Sequence, residues 1–140
     1  MKNSKKIGTI TEQIVIAELC KLNFIILKPL GDFLPYDIVL YFKNKFIKCQ
    51  IKTIKNRKNV LICRFLKNRI NTKRYFMKKY KMNEVDYFLF YSYNTNKVYV
   101  VKHDTVNRSA YNLRLKQCLN YQEKLIHYAH FYELNKKSFN

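Results

Sequence analysis

Apolar positions along this chain predict one helix followed by a series of strands. Gly8 to Leu22 carries Ile10, Ile14, Val15, Ile16, Ala17, Leu19 and Leu22, a helical spacing with apolar groups on nearly every side and Thr9 or Thr11 near its start. The spacing predicts a helix that is mostly buried. Phe24 to Leu27 is a short β-rich run, closed by Lys28-Pro29-Leu30-Gly31-Asp32. Tyr36 to Phe42 and Phe46 to Thr53 then read as a hairpin across Lys43-Asn44-Lys45. Val60 to Phe65 is a further strand after the basic turn Lys55 to Asn59, and Val85 to Tyr93 with Lys97 to Lys102 forms a second hairpin around Asn94-Thr95-Asn96. Leu66 to Met82 has no clean period. Gln122 to Leu134 has helical spacing in Leu125, Ile126, Ala129 and Tyr132.

The length of 140 residues fits one domain, residues 1–140. Charge then narrows the partner. The net charge is +19, and a surface so basic attracts polyphosphate chains, which makes nucleic acid the first partner to consider. An AT-rich coding sequence, visible in the abundance of Lys, Asn, Ile, Tyr and Phe, accounts for part of that excess. It does not account for the distribution: Ile38 to Asn83 contains no acidic residue and fifteen of the twenty-eight Lys and Arg. Cys20, Cys49, Cys63 and Cys118 lie far apart without the Cys/His spacing of structural zinc, and read as reduced core thiols. No signal peptide or membrane span is visible, so the expected setting is intracellular, with an organelle or an AT-rich bacterial genome as the coding source.

With acids so scarce, Asp37 inside the apolar run Tyr36 to Phe42 calls for a chemical reason. Strand alternation places Phe46, Lys48, Gln50 and Lys52 on one face and Ile47, Cys49 and Ile51 on the other, and Asp37 can face Gln50 across the hairpin. Phosphodiester hydrolysis needs hard oxygen ligands for Mg²⁺ or Mn²⁺ and a cation beside the developing charge. Asp37 supplies a carboxylate, the Gln50 side-chain oxygen and the Ile51 carbonyl supply neutral ligands, and Lys52 supplies the cation. Glu12, on an apolar flank of the first helix, needs a partner or a metal and is a supporting candidate. His103, His127 and His130 receive no chemistry, His127 and His130 being expected to share a helix face with aromatic neighbours, and Asp86 reads as structural, with a second metal ligand as the alternative. Lys52 alone would be one more solvated lysine; its pairing with Asp37 and Gln50 argues otherwise.

In these residues the chain resembles the PD-(D/E)XK nuclease superfamily: Glu12 on the first helix, Pro35-Tyr36-Asp37 at the PD position and Gln50-Ile51-Lys52 at the (D/E)XK position. More narrowly it resembles the group I intron-encoded homing endonucleases of that superfamily, in which Gln replaces the acidic residue and the strand continues as Gln50-Ile51-Lys52-Thr53 does here. Later matches are Glu84-Val85-Asp86-Tyr87-Phe88, Leu113-Arg114-Leu115, Asn120-Tyr121-Gln122 and the run Tyr128 to Leu134. The resemblance implies an α/β fold with a restriction-endonuclease-like core, a mixed central β-sheet flanked by helices. It also implies a metal-dependent, site-specific endonuclease for double-stranded DNA, with Asp37, Gln50, Lys52 and Glu12 as its catalytic residues.

The DNA-contacting region expected from the charge pattern is about residues 53–82, with Lys55, Arg57, Lys58, Arg64, Arg69, Lys73 and Arg74 as contacts. Lys and Arg neutralise phosphates, and a two-stranded ribbon from Thr53 to Phe65 fits a major groove. A small chain reading a long site points to a homo-oligomer, a dimer or tetramer, with one active site per strand. Tyr87, Tyr91, Tyr93, Tyr99, Tyr128 and Tyr132 are expected mostly in the core rather than at a subunit interface. Two other readings share the fold: a catalytically inactive module that binds intron RNA or DNA, because Gln50 removes a charge from the site, and a structure-selective nuclease for branched DNA.

Overall fold

The protein is described from a computed structural model covering residues 4–71, 74–103, 110–120 and 124–140, with the side chains of 68–71 and 74–77 left aside. Helix α1 spans Ser4–Lys21. Its end is set by Asn23, whose φ of 61° is left-handed; the Phe24 N–H returns to the Leu19 carbonyl at 3.2 Å and the Asn23 N–H to Cys20 at 2.9 Å. This is the reciprocal pair that terminates a helix at a left-handed residue, with Phe24 and Leu19 in the same apolar cluster. The helix is one-sided rather than mostly buried, since Thr11, Val15 and Leu19 are buried while Ile10 and Ala17 are exposed.

Strands β1 (Ile25–Leu27), β2 (Ile38–Phe42), β3 (Lys45–Ile54), β8 (Tyr87–Ser92) and β9 (Lys97–Lys102) form a mixed sheet in the order β1-β2-β3-β8-β9. Between β3 and β8 the chain makes β4 (Asn56–Arg57), β5 (Val60–Arg64), β6 (Leu66–Asn71) and β7 (Arg74–Lys79). Strand β5 joins a second sheet with β4, β10 (Ala110–Arg114) and β11 (His127–Tyr128), while β6 and β7, among the described residues, pair with each other alone. The expected hairpins are present; the first turns in two residues, Lys43-Asn44, rather than three, and the second turns in four, Tyr93 to Asn96, between Ser92 and Lys97. Lys43-Asn44 and Lys58-Asn59 each have positive φ at both positions, the two-residue turn whose twist matches a hairpin, with Asn taking the role Gly often fills.

Two apolar layers follow from strand parity. Ile47, Cys49 and Ile51 of β3, with Leu40, Leu89, Tyr91, Val98 and Val100, pack beneath Val15 and Leu19 of α1. Phe88, Phe90, Tyr99 and Val101 on the opposite face, joined by Ile54, pack against Leu61, Cys63 and Leu113 of the second sheet. Strand β8 is therefore apolar on both faces, as a strand at the middle of a covered sheet should be. The mixed central sheet matches expectation; its flanks do not fully. Among the described residues α1 is the single α-helix, and the other face is covered by strands.

Three further expectations change. Leu66 to Met82 contains the β6–β7 hairpin. The C-terminal stretch is not helical in its described part: His127–Tyr128 is a strand pairing with β10, followed by a 3-10 turn at Ala129–Tyr132, and Leu125 has a φ of 63° that an α-helix excludes. His127 and His130 therefore do not share a helix face. Cys49 and Cys63 are core thiols as expected, but Cys20 is exposed and Cys118 only half-buried; all four are free.

Phe88 is fully buried where the two sheets meet, touching the rings of Phe65, Tyr80 and Phe90. Phe88→Ala is expected to destabilise the protein by about 3–5 kcal/mol in urea titration, whereas Phe46→Ala, at an exposed position of β3, should shift the midpoint little. Equal shifts for the two would contradict this layering.

Candidate active site

Backbone accounting explains why a carboxylate sits at position 37. Strand β3 is hydrogen-bonded to β2 on one edge and to β8 on the other. Strand β2 starts at Ile38, opposite Cys49, and the Asp37 N–H still reaches the Cys49 carbonyl at 2.9 Å. One step further along β3, the Ile51 N–H has no β2 backbone to meet, and the Asp37 carboxylate takes it at 2.7 Å. A buried N–H without a partner is rare, so Asp37 finishes the ladder. The same Oδ2 accepts a hydrogen bond from Gln50 Nε2 at 2.7 Å. Asp86 does the corresponding work on the other edge, where its Oδ2 accepts from the Lys48 N–H at 2.8 Å and its own N–H donates to the Lys48 carbonyl at 2.8 Å. Its expected structural part is what the geometry shows.

Gln50 and Lys52 share the face of β3 that turns toward the second sheet. The Gln50 amide nitrogen lies between two oxygens, Asp37 Oδ2 and the Ile51 carbonyl at 3.4 Å. Lys52 Nζ donates to the Leu66 carbonyl at 2.9 Å and lies 5.3 Å from the centre of the Tyr80 ring. Glu12 reaches the site from α1, which is pinned one residue earlier: the buried Thr11 hydroxyl bonds Thr53 Oγ1 at 2.7 Å and the Tyr93 hydroxyl at 3.1 Å. The Glu12 carboxylate pairs with Lys28 Nζ at 2.5 Å, so this half-buried acid is paired as its surroundings require.

The electrostatics are unfavourable to both ions in the same way. Burial raises the Asp37 pKa above its ordinary 3.8, and the Glu12 charge adds to that rise, outweighing the hydrogen bonds from Ile51 and Gln50. Burial likewise lowers the Lys52 pKa below 10.5, opposed by the nearby Asp37 charge. No three His, Cys, Asp or Glu side chains converge as a metal cluster among the described residues. The donor set near Asp37 is instead one carboxylate with amide and carbonyl oxygens, and Glu12 as a neighbouring acid. These are hard donors, and two of the oxygens already converge on one positively polarised N–H₂ group. The set suits a hard divalent cation such as Mg²⁺, for which two or fewer protein carboxylates are usual.

The basic region divides. Lys55, Arg57, Lys58 and Arg64 are all exposed, on or beside the β4–β5 ribbon, and β5 is backed by β10 rather than standing free. Lys73 and the side chains of Arg69 and Arg74 lie outside the described residues. Three features escaped the sequence: Leu66 and Tyr80, which hold Lys52, and Arg114 with Lys116, which join Lys58 and Asn59 around an open cleft of about 520 Å³. Only the fold brings these distant positions together; no local pattern announces them.

A carboxylate, an amide and a lysine at the end of a β-hairpin in a mixed sheet, with a helix-borne glutamate beside them, define a restriction-endonuclease-like fold. The chain belongs to the PD-(D/E)XK endonuclease family, which it matches over residues 2–135. Its fold is similar to that of I-Ssp6803I, a bacterial homing endonuclease, with a TM-score of 0.73 and 24% sequence identity over 94% of this chain and 88% of that one. No curated protein matches the chain in sequence. No helix among the described residues is long and apolar enough to cross a membrane.

The sign of the Asp37 shift gives a stability test. A carboxylate whose folded-state pKa is raised contributes stability fully below its unfolded pKa, near 3.8, and loses it as pH rises through the folded value. Asp37→Asn is therefore expected to melt at a higher temperature than wild type at pH 7, with the gap closing as pH falls toward 3.8. An equal or lower melting temperature at pH 7 would show that the Ile51 and Gln50 hydrogen bonds outweigh the cost of burying the charge.

Proposed function

We propose that this chain is a site-specific double-stranded DNA endonuclease of the intron-homing kind, hydrolysing phosphodiester bonds with Mg²⁺ or Mn²⁺. The observation that carries the reading is the convergence of Asp37 Oδ2, the Gln50 amide and the Ile51 backbone, with Lys52 two residues along the same face of β3. Family membership supplies the reaction class. The fold shared with a bacterial homing endonuclease supports the homing assignment.

Asp37, the Gln50 side-chain oxygen and the Ile51 carbonyl would hold the cation. A divalent ion there supplies Lewis-acid charge at the scissile phosphate and activation of the attacking water. Gln50 now presents its nitrogen to Asp37, so holding a metal requires its amide to turn over and present Oε1. Lys52 keeps a proton and a positive charge beside the phosphate oxygens as negative charge grows on them. Glu12 adds a second negative charge behind Asp37 and supports the site. Lys55, Arg57, Lys58, Arg64, Arg69, Lys73 and Arg74 neutralise DNA phosphates over residues 53–82. One chain carries one such site and a duplex has two strands, so the working form is a homo-oligomer, a dimer or tetramer.

The neutral amide bonded to Asp37 favours one second reading, a binding module that keeps the fold without cutting. Asp37→Ala separates the two. Wild type is expected to cleave duplex DNA in Mg²⁺, and Asp37→Ala to bind it within a few-fold at matched salt while cutting at least about 10²–10³-fold more slowly. Equal cutting by both proteins removes the metal-site assignment. Binding of RNA above DNA with no cleavage by wild type selects the binding module, and preference for a four-way junction over linear duplex selects a structure-selective nuclease.

Phosphate neutralisation has its own signature. Replacing Lys55, Arg57, Lys58 or Arg64 by Ala should weaken binding to all sequences alike and reduce the slope of log Kd against log salt by about 0.9 for each phosphate that is no longer neutralised. A slope unchanged in all four variants would remove the β4–β5 ribbon from the DNA interface.

A further inference from the structure

A lysine has a long, freely rotating stem and brings a single charge to a site only if something holds its end. Lys52 is held by neither Asp37 nor Glu12: among the described residues no carboxylate lies within ion-pair distance of its ammonium. What holds it is the base of the β6–β7 hairpin. Leu66, the first residue of β6, offers its carbonyl to Lys52 Nζ at 2.9 Å. Tyr80, one residue beyond the end of β7, places its ring 5.3 Å from the same nitrogen.

The ring is itself fixed from several directions. Its edge meets the fully buried Phe88, with centroids 5.1 Å apart at 77°. Lys67, next to Leu66, lies 4.8 Å from the ring centre and bonds Glu84 at 2.8 Å. Glu84 also accepts the Lys81 N–H at 2.8 Å and donates its own N–H to the Lys81 carbonyl at 3.1 Å, which closes the turn directly after Tyr80. The Tyr80 side chain is half-buried, and an ammonium over an aromatic face is held more strongly where water is partly excluded.

We infer that Tyr80 is a positioning residue for Lys52, its ring and the Leu66 carbonyl together fixing the ammonium at the place where the scissile phosphate is met. This rests on the role proposed above for Lys52, and it adds a consequence. Both holding groups belong to the two feet of one basic hairpin, so a disturbance that parts β6 from β7 also releases Lys52. Under the proposed function the basic hairpin is thereby tied to the group that serves the chemistry.

The ring rather than the hydroxyl is what the inference requires, so Tyr80→Leu and Tyr80→Phe should diverge. In single-turnover cleavage at saturating DNA, Tyr80→Leu is expected to be about 3- to 30-fold slower with Kd within about 2-fold of wild type, and Tyr80→Phe to keep the wild-type rate. Proton NMR of protein labelled at lysine Cε adds a readout independent of activity. The Lys52 ε-protons should be shifted upfield by the ring in wild type and in Tyr80→Phe, and return to ordinary positions in Tyr80→Leu.

Tyr80→Phe cutting as slowly as Tyr80→Leu would overturn the inference in favour of the hydroxyl. So would a weakened Kd with an unchanged rate at saturation, which makes Tyr80 a DNA contact. Absence of an upfield Lys52 resonance in wild type would overturn it without any substitution, and therefore whether or not Tyr80→Leu folds. If wild type cuts no DNA, the proposed function fails while the NMR readout still decides whether the ring holds Lys52.

Discussion

Strand β3 is hydrogen-bonded along both edges, antiparallel to β2 and parallel to β8, and that double pairing fixes the parity of every side chain it carries. A slip of one residue would turn Gln50 and Lys52 into the layer under α1 and bring Cys49 and Ile51 out toward the second sheet. Two aspartates hold this register where the neighbouring strands begin. Asp37 takes the Ile51 N–H on one edge and Asp86 takes the Lys48 N–H on the other. Under the proposed function Asp37 is structural and chemical at once, since the carboxylate that completes the ladder is also the one proposed to hold the cation.

The position of that carboxylate explains the unusual residue beside it. Asp37 is already pushed toward protonation by burial and by Glu12, so a third carboxylate at position 50 would add like charge where it is hardest to carry. Gln50 instead donates a hydrogen bond to Asp37 and stabilises its ionised form. Lys52 shows the complementary problem, an ammonium pushed toward its neutral form by the same burial. An aromatic face and a backbone carbonyl favour the cation without cancelling its charge, as a close ion pair with Asp37 would. Both ions are held at an energetic cost that the rest of the fold must offset, as expected where a site needs charges that the core would otherwise exclude.

How much was legible follows from how local each signal is. The α1 segment, the β2–β3 and β8–β9 hairpins and the shared face of Gln50 and Lys52 depend on periods of a few residues, and the sequence shows them. Asp37 stood out because an acid in an apolar run needs a reason. The C-terminal stretch misled because Leu125, Ile126, Ala129 and Tyr132 have helical spacing, yet only Ala129 is buried, while His127 and Tyr132 are engaged with Tyr111 of β10. Tertiary pairing there overrides a weak period. The β6–β7 hairpin is hidden because the charged and apolar residues from Leu66 to Lys79 do not alternate along the sequence. Tyr80 was invisible for a different reason: it meets Lys52 from 28 positions away in sequence, and one tyrosine among twelve carries no mark of that contact.

The route from β3 to β8 joins two parallel neighbours. Parallel neighbours need a long crossover, and a helix is the common solution. Here residues 55–86 cross over as a ribbon and a hairpin, carrying eleven Lys and Arg. Of the two acids in that stretch, Glu84 is paired with Lys67 and Asp86 accepts the Lys48 N–H. The crossover leaves β3 two residues after Lys52 and returns past it at Leu66 and again at Tyr80. Under the proposed function, the elements that gather DNA phosphates are thus the same elements that hold the cation acting on one of them. A helix in their place would complete the sheet equally well, but it would not bring both feet of a basic hairpin to Lys52.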